Sequence, residues 1–464
     1  MESLPTDLGS QLPAGDQKPE EQKTRASVDV NQLIIAKSDV ADTSTCPRKS
    51  HTEISVRIKP LGAGSGDKIY KKIEPKWTKK RIQRVDTEKM EIYMGEDGED
   101  QKKQREYKFP HFVAEGERFS QQDVYDGVLK ERIKDFLDGF NVNIMAYGQT
   151  GSGKTHTMLG PHGFSKNPEG DQILDEYGLF PRAGLIILKS LETQAASGRK
   201  TVLTLNITET NYKLPLDLIN KANLKMCPTK NELIGQKEVI IDSVEALFAM
   251  CHILENERTT AGTKMNDNSS RTHCIAELKL YTKVGDDKVH TNFFKFVDLA
   301  GSERTEKSEA MNEIEGQAWM INFTLTIFAR AVLAVGDLKK PLTGGEKLPP
   351  SCSVWKETGI TKTLKDSFNG MAFTSIIICL SAHPQNGGES FATMQFADNC
   401  KKMRANIIKP KPLQVAALIK ECKSVIAANE ADLKKNDANR RFKELYNEKQ
   451  QFLVDLYQRL LDWK

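Results

Sequence analysis

The chain has 464 residues, 38% of them hydrophobic and 28% charged, and its 67 basic and 63 acidic side chains leave a net charge of only +4. A chain of this length holds about three ordinary domains, or one large domain with polar tails, and it buries a core readily. The near-neutral balance argues against a globally basic nucleic-acid binder, and no apolar run approaches the ~20 residues that span a bilayer, so no membrane segment is expected. Met1–Gln22 is polar and acidic, unlike a secretory leader. The eight cysteines are scattered without a C-x-x-C pair, which fits reduced core thiols of a cytoplasmic protein better than a disulfide or metal framework.

Residues 1–50 are rich in Ser, Thr, Asp, Gln, Pro and Lys with little hydrophobic period, and are expected to form a disordered N-terminal extension. Thr52–Pro60 alternates as a strand does, with Ile54, Val56 and Ile58 on one face. Met90–Met94 and Tyr107–Val113 are further strand-like runs. Gln122–Phe140 carries Val124, Val128, Ile133, Phe136 and Leu137 at helical spacing. Val142–Tyr147 is a short apolar strand that runs straight into a glycine-rich loop. Strands recur at Val202–Ile207, Cys274–Tyr281, Phe293–Val297 and Ile376–Leu380 with helical patterns between them, which predicts one α/β domain over 52–406. A short segment, 407–412, ends in Lys409-Pro410-Lys411-Pro412, and the pattern is helical over 413–464.

The strongest motif is Gly148-Gln149-Thr150-Gly151-Ser152-Gly153-Lys154-Thr155, which satisfies G-x-x-x-x-G-K-[ST] between an apolar strand and a helical pattern. The glycines let successive backbone N–H groups point inward at phosphate oxygens. Lys154 sets a compact charge against the β- and γ-phosphates, Thr155 supplies a hydroxyl for Mg²⁺, and a helix N-terminus adds partial positive charge. Two later segments suit a nucleotide-sensing role. Asn266-Asp267-Asn268-Ser269-Ser270-Arg271-Thr272-His273 is a dense cluster of amide, hydroxyl and guanidinium groups before a strand. Val297-Asp298-Leu299-Ala300-Gly301-Ser302-Glu303 leaves another strand with an aspartate placed for Mg²⁺ and a glycine able to offer its N–H to a γ-phosphate. Each alone also reads as an ordinary polar turn or strand exit. Behind a phosphate loop they read together as switch loops.

At these residues the chain resembles the kinesin motor domain, whose G-Q-T-x-S-G-K-T, N-x-x-S-S-R-S-H and D-L-A-G-S-E motifs stand here as GQTGSGKT, NDNSSRTH and DLAGSE. Ser55–Pro60 is similar to that family's first strand, and Phe396-Ala397-Asp398 to the F-A-N of its last helix. The resemblance implies a P-loop NTPase with a mainly parallel central sheet flanked by helices, ATP and Mg²⁺ as ligands, and microtubules as partner. It implies that Arg57, Lys59, Pro60 and Tyr125 frame the adenine, with the Tyr125 ring stacked on the base. Gly148 to Thr155, with His156 beyond them, would hold the nucleotide. Thr155 and Ser270, with Asp298 through water, would serve the metal, Asn266 and Ser269 would close on the γ-phosphate, and Gly301 would sense it. Arg271 and Glu303 would join in a salt bridge that aligns the attacking water.

The tubulin-facing half departs from the family's pattern. The helix expected to read E-x-x-x-I-N-x-S-L has Gln317 for its Glu and Phe323 in place of the usual Lys, and residues 301–320 carry a net −3. The segment like H-V-P-Y-R-D-S-K-L-T has become Ser353–Thr361 with a base kept at Lys356. Against an acidic polymer these changes weaken attraction. Residues 71–84 hold seven bases and one acid, either a solvated hairpin edge or an added contact to tubulin. With Trp77 the one aromatic among them, they make a poor nucleic-acid platform. In the tail, after a neck-linker-like 407–412, Phe442, Leu445, Phe452, Leu456 and Trp463 form an incomplete heptad seam broken by Lys449 and Arg459. That seam serves either a homodimer or packing on the motor or a partner. The sequence thus points to an ATP-driven microtubule motor, cytoplasmic and microtubule-associated. The alternative is a nucleotide-binding regulatory or structural relative that does not walk. A GTPase-type switch is disfavoured, since the guanine-reading N-K-x-D is not found in the expected place.

Overall fold

The computed structural model describes residues 27–36, 47–59, 81–96, 100–109, 111–115, 119–165, 172–210, 215–227, 233–260, 271–303, 313–383, 386–433 and 440–463. Its framework is a twisted sheet whose long strands are β1 (Glu53–Lys59), β2 (Phe112–Glu115), β3 (Asn141–Tyr147), β4 (Thr201–Thr210), β5 (His273–Val284), β6 (Lys288–Asp298) and β7 (Ala372–Ser381), in the spatial order β4-β5-β6-β3-β7-β1-β2. From β6 to β2 every pairing is parallel. From β4 to β6 the pairings are antiparallel. The expected mainly parallel sheet is thus present in the half that carries the glycine-rich loop, and the antiparallel strands at the other end make the sheet as a whole mixed. The reason is connection length: β5 and β6 are joined by Gly285–Asp287 with Gly285 at φ 61°, a hairpin, whereas a parallel crossover needs about a dozen residues or more.

Alternation along β3 shows how the two faces are covered. Val142, Ile144 and Ala146 lie in one core cluster, and Met145 and Tyr147 in the other. The first cluster is closed by α1 (Lys130–Leu137), α3 (Leu179–Ala196) and α4 (Val244–Thr260), and the second by α5 (Glu313–Gly336), α6 (Gly359–Phe368) and α7 (Gly387–Cys400); the short α2 (Lys154–Met158) follows the glycine-rich loop. The window Trp319–Gly336 of α5 is long and apolar enough to cross a membrane, with mean hydropathy 1.5, but its Phe328, Ala331 and Val332 are fully buried against the sheet. Asn322, Thr324, Thr326 and Arg330 break its apolar run, and it is a core helix of the fold.

Several local expectations change. The N-terminal extension is structured in part: Ser27–Asp29 pairs antiparallel with Gln172–Leu174, Val30 is 1% exposed, and Arg48–His51 pairs with Arg404–Ile407. Val28, Val30, Leu33 and Ile35 supply enough apolar surface to dock a short segment that composition alone assigns to disorder. Tyr107–Val113 is not one strand, because Arg105–Lys108 belongs to a small sheet with Arg81–Asp86 and Glu91–Gly95 while Phe112 begins β2. Arg81 and Arg84 of the basic 71–84 segment thus sit on a hairpin, and residues 71–80 lie outside the described residues. The C-terminal region is two antiparallel helices, α8 (Val415–Leu433) and α9 (Arg440–Asp462), folded back on the antiparallel end of the sheet.

Candidate nucleotide site

The loop between β3 and α2 takes its shape from its glycines. Gly148 has φ 154°, and a side chain there would run into the Cys379 carbonyl on β7. Gly151 and Gly153 have φ 80° and 94°, and nothing lies within 4 Å of where a Gly153 Cβ would stand. Lys154 is 7% exposed, and its Nζ donates to the Gly148 and Gln149 carbonyls at 2.9 Å, so its ammonium is held under the loop. Ser152 Oγ donates to the Gln149 carbonyl at 2.8 Å and firms the turn. The parallel register sets Asp298 of β6 opposite Ala146 of β3. The Thr155 hydroxyl consequently donates to Asp298 Oδ2 at 2.6 Å. These two hard oxygen donors beside an inward-facing loop have the chemistry that suits Mg²⁺ and phosphate.

Glu303 is the surprise of the site. Its carboxylate accepts the Thr150 backbone N–H at 2.7 Å and also the Thr150 hydroxyl. It does not pair with Arg271, contrary to the salt bridge expected from the sequence. The Thr150 N–H and hydroxyl lie within reach of Glu303, and charge-assisted bonds to a carboxylate are strong. Gly301 is buried between them: a Cβ there would strike the Glu303 carboxylate and Thr150 Oγ1. Asn266, Ser269, Ser270 and Pro60 lie outside the described residues, so the structure gives no position for their assigned roles.

The Tyr125 assignment is corrected. Tyr125 sits in a π-turn, Tyr125–Leu129, and is 2% exposed within the first core cluster. Burial raises its hydroxyl pKa to about 12, and neither ring face is open to a base. The extra residue in a π-turn rotates Tyr125, Val128 and Leu129 inward together. The aromatic surface beside the loop belongs to His156, which is exposed at the start of α2. Gln121 fixes it, donating to the His156 carbonyl at 2.7 Å with Nε2 3.0 Å from Nδ1. The residue keeps an exposed face, but packing against its neighbours desolvates the imidazole, and this with the nearby Arg57 charge lowers its pKa and favours a neutral ring. Arg57 Nη1 donates to Gln121 Oε1 at 2.8 Å and Thr157 Oγ1 at 3.0 Å, so Arg57, Gln121 and His156 are one assembly, with Lys59 at the end of the same strand. Gln121 was not among the sequence candidates, and no motif marks it.

His273, the last residue of NDNSSRTH, also lacked a role. It is 1% exposed; its Nδ1 accepts the Ala300 N–H at 3.0 Å, and its Nε2 lies 3.1 Å from Thr324 Oγ1 on α5. With Nδ1 accepting, Nε2 carries the proton and donates to Thr324, whose hydroxyl donates to the Ile321 carbonyl at 2.7 Å. Beside it, the Thr272 hydroxyl donates to Glu209 Oε1 at 2.7 Å. One imidazole therefore ties the end of the NDNSSRTH segment to the DLAGSE segment and to α5.

A strand, a phosphate-shaped glycine loop and a strand-end aspartate on the loop's threonine define a P-loop nucleotide-binding protein. Among such proteins this chain belongs to the kinesin motor domain family, which matches residues 57–403. It is 32% identical over 302 residues to Kinesin-like protein KIN-1 of Arabidopsis thaliana, covering 63% of this chain and 60% of that protein. It is 29% identical over 294 residues to Kinesin-related protein 5 of Dictyostelium discoideum, covering 62% of this chain and 28% of that one. The alignments thus span about a quarter to three fifths of these relatives' lengths. A solved structure described as a fast kinesin superimposes with a TM-score of 0.62 at 24% identity, over 78% of this chain and 94% of that one, which supports the fold.

Proposed function

We propose that this chain is a microtubule-dependent motor that hydrolyses Mg-ATP and works in the cytoplasm on the microtubule cytoskeleton. The observation that carries the reading is the juxtaposition of Lys154, Thr155, Asp298 and Glu303 around one glycine loop. In this reading the loop N–H groups and Lys154 receive the phosphates, and Arg57, Lys59 and Pro60 border the base while His156 offers its ring. Thr155, Ser270 and Asp298 hold magnesium, which when bound neutralises charge developing on the transferred phosphoryl group. Asn266, Ser269 and Gly301 close on the γ-phosphate. Glu303 leaves Thr150 for Arg271, and in that position its carboxylate orients the attacking water and accepts its proton. Positioning and electrostatics suffice for a loose, charge-spread transition state.

ATP turnover measured with and without microtubules tests the reading. Stimulated turnover that requires Asp298 supports it, and turnover indifferent to microtubules refutes it. One observation favours the second reading, a nucleotide-dependent relative that binds but does not walk. Of the apolar seam that could zip two chains together, Leu445 and Leu456 are buried within this chain, Phe442 and Phe452 are half-buried and Trp463 is exposed. Filament gliding over immobilised protein separates the two.

A further inference from the structure

The tail helices are joined to each other and to the sheet. Asn429 Nδ2 donates to Asn447 Oδ1 at 2.8 Å, and Lys443 pairs with Asp432 at 2.9 Å across the hairpin. Leu445, Leu456 and Leu460 of α9 are 2%, 3% and 1% exposed. Val454 and Tyr457 join Val202, Tyr281 and Val289 of the sheet in one apolar cluster, in which the Tyr457 and Tyr281 rings meet edge to face with centroids 6.1 Å apart. Phe442 carries Lys225 over its ring at 4.1 Å. At the far end of α9, Lys283 and Lys200 each donate to the Trp463 carbonyl at 2.8 Å, so cations from the sheet satisfy the last carbonyls of the helix.

One of the two residues that break the heptad seam is explained by what it meets. Lys449 is 8% exposed, and its Nζ lies 3.9 Å from the carboxylate of Glu238, which is itself 4% exposed. Glu238 also takes Lys279 at 2.6 Å, the Tyr281 hydroxyl at 3.0 Å and the Thr204 hydroxyl at 3.1 Å. A lysine on the seam of a dimer would be buried against its own symmetry mate. Here it faces a buried carboxylate that Lys279, Tyr281 and Thr204 of the sheet already hold. The hairpin also follows directly from the neck segment: Leu413–Gln414 adds antiparallel to Lys288–Val289 at the start of β6, and the Val415 N–H donates to the Asp287 carbonyl at 2.9 Å.

We propose that the C-terminal hairpin is an intramolecular clamp that keeps this chain monomeric and holds the neck strand Leu413–Gln414 on β6, with Lys449 against Glu238 as its latch. The inference concerns where the tail sits and does not depend on ATP hydrolysis. Static light scattering of the full chain at micromolar concentration, and amide exchange read at Val289, Val415 and along α9, test it. A monomer is expected, with the same protection at those amides with and without Mg-ATP. Leu456→Asp with Leu460→Asp alters only the tail's contact face, and should raise exchange at Val289, Val415 and α9 by about 100-fold while β3 stays protected. Lys449→Glu sets a second carboxylate against Glu238 and should release the hairpin to a similar degree. Lys449→Met, which keeps the packing and leaves Glu238 paired with Lys279, should release it far less. A dimeric wild-type chain, nucleotide-dependent exposure of Val415, or unchanged protection in the double variant would each overturn the clamp. Equal protection in Lys449→Glu and wild type would overturn the latch.

Discussion

The imidazole of His273 offers a direct test of how the nucleotide site is tied to α5. His273→Ala removes two hydrogen bonds, to Ala300 N at 3.0 Å and Thr324 Oγ1 at 3.1 Å, in a site 1% exposed. The Ala300 N–H would then be buried without its acceptor, a loss of about 1–3 kcal/mol, and the Thr324 bond adds about 1 kcal/mol. A total near ~3 kcal/mol is expected in urea unfolding. His273→Asn keeps an acceptor near the Nδ1 position but cannot reach Thr324, so about 1 kcal/mol should be lost. The functional expectation runs in parallel: both variants bind ATP, and their turnover responds less to microtubules than wild type in the order wild type, Asn, Ala. An alanine variant as stable as wild type and fully responsive to microtubules would show that this bridge couples nothing.

Lys154→Ala should weaken ATP binding by about 1.5–3 kcal/mol in a fluorescent-nucleotide titration, since it deletes the charge held under the phosphate loop. Glu303→Ala and Arg271→Ala should bind ATP yet slow single-turnover hydrolysis, and normal rates in both would refute the proposed exchange of partners. Trp355, 1% exposed with Nε1 bonded to the Ala331 carbonyl at 3.1 Å, should cost about 3–5 kcal/mol of stability as Trp355→Ala, read by thermal unfolding. Burial raises the Glu238 pKa, but Lys279, Lys449 and its hydrogen bonds outweigh that and hold it at about 2 against 4.5 unfolded. Its stabilisation is therefore present above pH 4.5 and lost as pH falls toward 2, and Glu238→Gln should flatten the acid limb of the unfolding curve. Co-sedimentation with microtubules should be weak and steeply salt-dependent, and should fall further when Lys76, Lys79, Lys80 and Arg81 are changed to Glu; tight binding at ~0.15 M salt that ignores those changes would refute the charge argument.

What the sequence disclosed is what local chemistry dictates. The phosphate loop is a run of eight residues whose roles follow from their own backbone and side chains, and the structure keeps Lys154, Thr155 and Asp298 together as that motif requires. The strands of the buried half announce themselves as short apolar runs bounded by turns. The failures arise where a residue's environment comes from elsewhere in the chain. A helical period cannot reveal a π-turn, so nothing local marks Tyr125 as inward-facing while His156 stays exposed. The motif suggests Arg271 as the partner of Glu303, whereas the structure gives it Thr150, a choice that no local pattern encodes. Lys449 looks like a defect in a zipper until Glu238 is seen opposite it. The apolar run of α5 is interrupted in sequence by residues on its outer side, such as exposed Arg330, and so hides its length.

Strands β5 and β6 connect these features physically. At one end of the pair stand His273 and Asp298, against α5 and Thr155. At the other stand Lys283, against the end of α9, and Val289, against the neck strand. The 11 residues of β6 span about 34 Å, so the nucleotide loop and the tail lie at opposite ends of one hydrogen-bonded ladder. Its register, from Cys274 opposite Asp298 to Val284 opposite Lys288, is continuous, and a slip of one residue would turn every buried side chain to the wrong face. The ladder therefore cannot relay a change at Asp298 by sliding. It can only tilt as a body, with its far end weighted by the hairpin. Beyond the ladder itself, its Asp298 end is tied to its surroundings by the Glu303 contact to Thr150 and the His273 bridge to α5. The glycine loop's end of the sheet thus meets α5 through the His273 side chain, and the tail through a continuous pair of strands.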